Sequence, residues 1–309
     1  MSKYVVTGGA GFIGSTLTDK LISDGHEVIV IDNLCTGVEA NINNRATFFN
    51  ADISQLSPGD ELYDHAVNMF TGVDTVFHFA ARARVQPSII DPHYYNLVNI
   101  TGTLNILDLA KQCNVRRMVF SSSSSIYGNV TESNLPTTEE APVNPLSPYG
   151  LQKLCGEQYC KLYSTIHDIE TVCLRYFSVY GLRQPTSGAY SLVMGIFADQ
   201  RLNGLPLRIF GDGEQRRDFT FVDDVVTANI KAGKSLNVGA GEVINIGNGD
   251  NRSVNDIAGY IGGEREYLDP VIEPRETLAN NTLARKLLNW SPTMRVEDWI
   301  PGYKKILGI

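Results

Sequence analysis

The feature that most restricts this chain is the seven-residue loop Gly8-Gly9-Ala10-Gly11-Phe12-Ile13-Gly14, set between an apolar strand pattern and a helical one. Tyr4-Val5-Val6-Thr7 runs into it and a helical stretch from about Phe12 to Asp24 leaves it. Glycines at 8, 11 and 14 allow a tight turn, close approach to a pyrophosphate and packing of helix on strand. The helix N-terminus adds unpaired N–H groups and a partial positive charge. That context is the one a dinucleotide loop requires. The next strand, Val28-Ile29-Val30-Ile31, ends at Asp32, 18 positions beyond Gly14. A carboxylate there accepts from both ribose hydroxyls and repels a 2′-phosphate, which favours NAD over NADP. Asp52-Ile53, after the strand Thr47-Phe48-Phe49, is a candidate adenine contact.

Further short apolar runs, Val76-Phe77-His78-Phe79, Met118-Val119-Phe120 and Val172-Cys173-Leu174-Arg175, alternate with helical patterns near Tyr94 to Gln112 and Tyr149 to Ile166. Such alternation predicts an α/β fold: a Rossmann-like, doubly wound parallel sheet covered on both faces. After about Phe177 glycine, proline and charge become denser, and a smaller C-terminal α/β substrate domain is expected. Val243-Ile244-Asn245-Ile246 reads as a buried strand returning to the main sheet. The predicted division is 1–177 with a returning segment near 222–250 for the cofactor, and 178–221 with 251–309 for the substrate.

With 309 residues, a hydrophobic share of 43% and a charged share of 19%, the chain has the make-up of an ordinary globular protein. Its net charge of −8 with scattered basic residues argues against a nucleic-acid backbone as partner and against a polybasic membrane patch. No apolar run approaches the roughly 20 residues that span a bilayer. Cys35, Cys113, Cys155, Cys160 and Cys173 form no C-x-x-C pair, which suits free thiols in a reducing compartment and no metal site. With no signal-peptide pattern at the start, a cytoplasmic location is expected.

Tyr149 and Lys153 stand one helical turn apart and share a helix face. A tyrosine hydroxyl has an unperturbed pKa of about 10, and a neighbouring ammonium favours its phenolate. Beside a nicotinamide, this pair would serve as a proton-transfer device. A run of serines, Ser121 to Ser125, precedes it.

With these pieces placed, the chain resembles the extended short-chain dehydrogenase/reductase family and, within it, the UDP-sugar 4-epimerases. The resemblance covers nearly the whole length. It rests on Thr7 to Gly14, Asp32-Asn33, His78-Phe79-Ala80-Ala81, Asn99-Ile100-Thr101-Gly102-Thr103 and Ser121 to Gly128. It continues with Ser147-Pro148-Tyr149-Gly150-Leu151-Gln152-Lys153, Arg175 to Gly181, Gly211-Asp212-Gly213, Arg217-Asp218-Phe219, Pro274-Arg275 and Leu288-Asn289-Trp290.

The resemblance implies a tightly bound NAD and epimerisation at carbon 4 of a UDP-hexose through a transient 4-keto sugar. Tyr149 would be the base, Lys153 its electrostatic partner and a ligand of the nicotinamide ribose, and Ser123 the serine that bonds the reacting oxygen. Phe12 and Ile13 would contact the pyrophosphate, Asp32 and Asn33 the ribose, Asp52 and Ile53 the adenine. Ala80 and Asn99 would line the cofactor channel, with Tyr176 and Phe177 beside the nicotinamide. Ser124 and Ser125 would orient the sugar, and Arg217 and Arg275 would clamp the diphosphate through their planar forks. A homodimer through the helices near 94–112 and 149–166 is also implied, by way of Leu97, Ile100, Leu104, Leu107, Leu151, Leu154 and Leu162.

The chain departs from the family at several places. Ser178 replaces the usual asparagine at the diphosphate, and Ala83 stands where some members have lysine. Arg82 and Arg84 are extra cations near the pocket mouth, and Thr277 falls where sugar size is limited. A small Thr277 suits UDP-GlcNAc/UDP-GalNAc alongside UDP-Glc/UDP-Gal, whereas Arg82 or Arg84 suits a uronate. No acid follows Ser123, as a 4,6-dehydratase would need, and Ser125-Ile126 replaces the glutamate of a decarboxylase. A cofactor-binding protein without turnover is the alternative from another class; such relatives often lose Tyr or Lys, and both are kept here.

Overall fold

The computed structural model describes residues 1–186, 192–271 and 273–309. Through the first half strands and helices alternate: β1 (Lys3–Thr7), α1 (Phe12–Ser23), β2 (Glu27–Asp32), β3 (Thr47–Asn50), α2 (Tyr63–Phe70) and β4 (Thr75–His78). Then come α3 (Val85–Ile90), α4 (Pro92–Asn96), a π-helical turn (Leu97–Gly102), α5 (Thr103–Gln112), β5 (Arg117–Ser123), α6 (Pro148–Ile166) and β6 (Glu170–Tyr176). The second half supplies β7 (Val179–Tyr180), α7 (Val193–Leu202), β8 (Leu207–Phe210), β9 (Arg216–Asp218), β10 (Thr220–Phe221) and α8 (Val222–Lys234). It ends with β11 (Ala240–Ile246), β12 (Asn251–Ser253), α9 (Val254–Ile261), β13 (Arg265–Leu268), α10 (Thr282–Leu288) and α11 (Val296–Leu307).

Seven parallel strands form the main sheet in the order β11-β6-β5-β4-β1-β2-β3. The order reverses between β1 and β4, and a crevice at such a switch point, beyond the strand ends, is where doubly wound sheets bind ligands. Successive strand residues point to opposite faces, so one run of apolar residues builds two cores. Val6, Val28, Val30, Phe77 and Val172 face α1, α8 and α10, with Trp290 buried among them. Val5, Ile29, Ile31, Val76 and Met118 face α2, α5 and α6. The predicted return of the chain occurs: β11 pairs with β6 over Ala240 to Ile246. A third core, from Tyr180, Met194, Phe197, Ile209, Ile257 and Ile300, lies among the elements of the second half.

Where the sequence pattern suggests one helix near 94–112, the chain forms α4, the π turn and α5. Gly102 closes that turn because a Cβ there would lie 2.6 Å from Ile53 Cδ1. The leucines of the expected subunit contact sort into two groups. Leu97, Leu151 and Leu162 are about half exposed, whereas Leu107 is fully buried and Leu154 packs inward against Ile126 and Tyr127. No helix among the described residues is long and apolar enough to cross a membrane.

Candidate active site

Gly8 sits at φ 71°, and a Cβ on it would come within 2.7 Å of the Ala80 amide nitrogen. A Cβ on Gly14 would fall 2.3 Å from the Gly8 carbonyl oxygen. The loop therefore closes only with glycine at these points. Gly11, the N-cap of α1, offers no side chain to the first turn, so the helix N-terminus keeps its donors for an anion. At the end of β2, Asp32 is buried and accepts from Ala10 N at 3.0 Å and Leu34 N at 2.8 Å; burial raises its pKa. Asn33 donates to Asp52 at 2.9 Å, and Asp52 also accepts from Ser54 N and Oγ. Ile53 is buried, with its carbonyl taken by Asn105 at 2.9 Å. A glycine cradle, an uncapped helix and a carboxylate fixed at the end of β2 together fit an adenine dinucleotide. Gly8, Gly11, Phe12, Ile13 and Gly14 would hold its pyrophosphate.

The next wall comes from β4. His78 is fully buried between Thr7 Oγ1 (2.7 Å) and Thr103 Oγ1 (3.0 Å), and burial followed by Lys153 lowers its pKa to about 3. It is a neutral structural strut. Ala80 N donates to Thr7 Oγ1 at 3.2 Å. Asn99 lies behind this segment, its amide accepting from Arg82 N at 2.7 Å and donating to Arg82 O and Gln152 Oε1 at 2.9 Å. Its side chain thus ties the backbone at Arg82 to Gln152 of α6.

Tyr149, Lys153 and Ser123 meet where α6 crosses the end of β5. Ser147 caps α6 by accepting from Gly150 N at 3.1 Å. Ser123 ends β5, and its Oγ accepts from Ser125 N at 3.2 Å. Lys153 does something the i, i+4 spacing does not show: it donates to the Ser121 carbonyl at 2.7 Å and stands 5.9 Å from the centre of the Tyr149 ring. Burial raises the Tyr149 pKa, against which Ser123 and Arg84 act in the lowering direction. The expected acidification by Lys153 is therefore corrected: burial dominates, and the ammonium is turned to the strand. Burial also lowers Lys153 to about 8.

Tyr176 is buried, donates to Asn229 at 2.9 Å and stacks on Phe79 at 6.4 Å. Phe177 is fully buried beside Ile126, Tyr127 and Ala279, so its ring is core, and its backbone N donates to Ile246 O at 3.1 Å. Ser124 and Ser125 form the turn after β5, and the buried Ser125 Oγ has no hydrogen-bond partner among the described residues. Ser178 joins β10 through its carbonyl, which accepts from Thr220 N at 3.1 Å.

The two expected clamp arginines are each engaged with an acid. Arg217 pairs with Glu273 at 2.6 Å, and Arg275 makes a bidentate pair with Asp212 at 2.8 and 3.1 Å. Their backbones are adjacent, since Arg216 N donates to Arg275 O at 2.9 Å. Thr277 accepts from Asp218 N at 3.2 Å. Asp218 in turn receives Asn248 N, Gly249 N and Ala279 N at 2.7 to 3.0 Å and fastens three segments together. Burial raises its pKa to about 7.

Sequence reasoning passed over Asp218 and a buried set around Glu157. Glu157 pairs with Arg175 through both oxygens (2.9 and 2.7 Å) and accepts from Ser122 Oγ at 2.5 Å. Its spacing, four residues beyond Lys153 on the same helix face, was the available signal. Arg175 continues to the Tyr127 hydroxyl at 2.8 Å.

Residues 4–247 match the model of the NAD dependent epimerase/dehydratase family. A putative UDP-glucose 4-epimerase of Methanocaldococcus jannaschii is 46% identical over 229 residues, covering 74% of this chain and 72% of that protein. Two solved structures are similar throughout. The UDP-N-acetylglucosamine 4-epimerase of Methanobrevibacter ruminantium, in complex with UDP-N-acetylmuramic acid, has a TM-score of 0.87 at 33% identity, covering 99% and 96% of the two chains. The UDP-glucuronic acid 4-epimerase of Bacillus cereus, with UDP-glucuronic acid and NAD, has a TM-score of 0.88 at 33% identity, covering 99% of each.

Proposed function

The chain belongs to the NAD dependent epimerase/dehydratase family and is an isomerase, a UDP-sugar 4-epimerase; we propose that Tyr149, Ser123 and Lys153 carry its reaction. The observation that supports this most directly is the register of α6 on β5: Lys153, one turn after Tyr149, donates to the Ser121 carbonyl at 2.7 Å, two residues before Ser123. NAD, when bound, supplies a reversible hydride acceptor. Tyr149 takes the proton of the sugar 4-hydroxyl and returns it on the way back, which is general base and then general acid catalysis. Ser123 bonds the same oxygen. Lys153, fixed by the Ser121 carbonyl, holds the helix in register and would be a ligand of the nicotinamide ribose. Arg217 and Arg275 exchange Glu273 and Asp212 for the diphosphate, retaining the nucleotide while the 4-keto sugar turns over.

The preferred pair in this reading is UDP-GlcNAc/UDP-GalNAc, with UDP-Glc/UDP-Gal also accepted, because Thr277 is small. The relative that binds UDP-glucuronic acid, together with Arg82 and Arg84 ahead of α3, supports a uronate as the second reading. Incubation of the purified protein with each UDP-sugar, followed by product chromatography, decides between them. Conversion of none of the three classes would leave the non-catalytic reading standing.

Residues 1–177 and 222–250 would bind NAD, and 178–221 with 251–309 the UDP-sugar. Half-exposed Leu97, Leu151 and Leu162 support a homodimer through α4–α5 and α6, which light scattering would test. The free thiols support a cytoplasmic location.

A further inference from the structure

The turn of α6 that carries Tyr149 and Lys153 is held from two sides. On one, Lys153 reaches the Ser121 carbonyl of β5 at 2.7 Å. On the other stands the segment that runs from β4 into α3, and α3 packs against α6. Asn99 grips that segment at Arg82 N and O (2.7 and 2.9 Å) and donates to Gln152 Oε1 of α6 at 2.9 Å. A second tie lies further along, at Ser88 of α3, which is wholly buried.

Helix geometry makes this second tie specific to one residue. The first amides of a helix have no partner inside it. In α6, Pro148 has no N–H, Gly150 N donates to Ser147 Oγ at 3.1 Å, and Leu151 N donates to Ser147 O at 3.0 Å. The amide left over is that of Tyr149, and it donates to Ser88 Oγ at 3.2 Å. Ser88 places its own proton on Val85 O at 2.6 Å, so towards the helix its oxygen can only accept. The bond takes nothing from the phenol. It fixes the backbone from which the phenol projects, and it does so from outside both α6 and β5. We infer that Ser88 is a positioning residue of the reaction: it anchors the backbone of Tyr149 to α3 and so sets where the phenol oxygen stands relative to a bound sugar. The inference rests on Tyr149 being the base.

The test uses the NAD-loaded protein and compares Ser88→Ala with Ser147→Ala. Each removes one hydroxyl acceptor from the first turn of α6, but only Ser88→Ala releases the amide of the tyrosine itself. Ser88→Ala should keep its NAD, its affinity for UDP by isothermal titration and its KM for the UDP-sugar, while kcat falls about tenfold, because a small misplacement of a reacting group is costly in rate. Ser147→Ala loses the helix cap, so it should melt at least as early as Ser88→Ala yet keep kcat close to that of the parent. An unchanged kcat in Ser88→Ala overturns the inference, whether or not KM rises. So does an equal fall of kcat in both variants, which would make the effect one of helix stability alone. Full activity in Tyr149→Phe would instead bring down the assignment of the base.

Discussion

Lys153 is bonded to Ser121, not to Tyr149: its ammonium donates to the strand carbonyl at 2.7 Å, while the centre of the phenol ring is 5.9 Å away. The lysine thereby ties the middle of α6 to β5. Tyr149 lies one turn earlier on α6, and its backbone N donates to Ser88 Oγ at 3.2 Å. Helix, strand and α3 are keyed to one another around the phenol.

Replacing Tyr149 with Phe removes the proton-transfer group and leaves the ring. Turnover should fall by about 10²- to 10⁴-fold, with bound NAD and melting temperature retained. Comparing NAD released on denaturation with kcat for the two proteins checks this.

Burial lowers Lys153 from 10.5 to about 8. Between those values the unfolded chain holds a proton that the folded chain has released, so this group makes stability rise with pH across the window. Urea unfolding of the cofactor-free protein should show that rise relative to Lys153→Met. Parallel profiles for the two proteins would contradict it.

Gly14→Ala places a methyl 2.3 Å from Gly8 O. Backbone atoms must shift to admit it, at about 1–3 kcal/mol, and the loop should lose its bound NAD. Thermal melting and NAD content measure the two effects separately.

The pair of Arg275 with Asp212 is exposed, with 64% and 60% of the side-chain surfaces open. Such a pair adds little to stability. Arg275→Ala should therefore leave the melting temperature nearly unchanged while raising KM for the UDP-sugar by about tenfold or more. Isothermal titration with UDP alone gives an independent reading of the same loss.

Glu157 and Arg175 are both almost wholly buried. Glu157→Ala leaves an arginine without its charge partner and should cost about 3–5 kcal/mol of stability. Denaturant unfolding would show it.

Much of the architecture was legible because its signals are local. The glycine loop, Asp32 at the end of β2 and the returning strand β11 all announce themselves in short stretches of residues. What escaped depends on partners far away in sequence. Spacing on α6 places Cβ atoms on one face, but where the ammonium of Lys153 finds an acceptor depends on β5. Asp212 and Glu273 take the two arginines across 63 and 56 positions respectively. The π turn at 97–102 is hidden too, since its apolar residues keep a helical rhythm. Burial, which sets the direction for Tyr149, is a property of the assembled crevice.

The placement of β11 at the edge beside β6 has a consequence for how the molecule must be made. Some sixty residues lie between Tyr176 and Ala240, before the last strand of the main sheet arrives: β7 to β10 with α7, and then α8, which covers the sheet itself. A fragment stopping at Gly239 would leave β6 with a bare row of backbone donors and acceptors, open to a stray strand. The protein therefore has no seam along which it can be cleanly halved: the sheet gains its edge strand only after part of the second layer has been laid down.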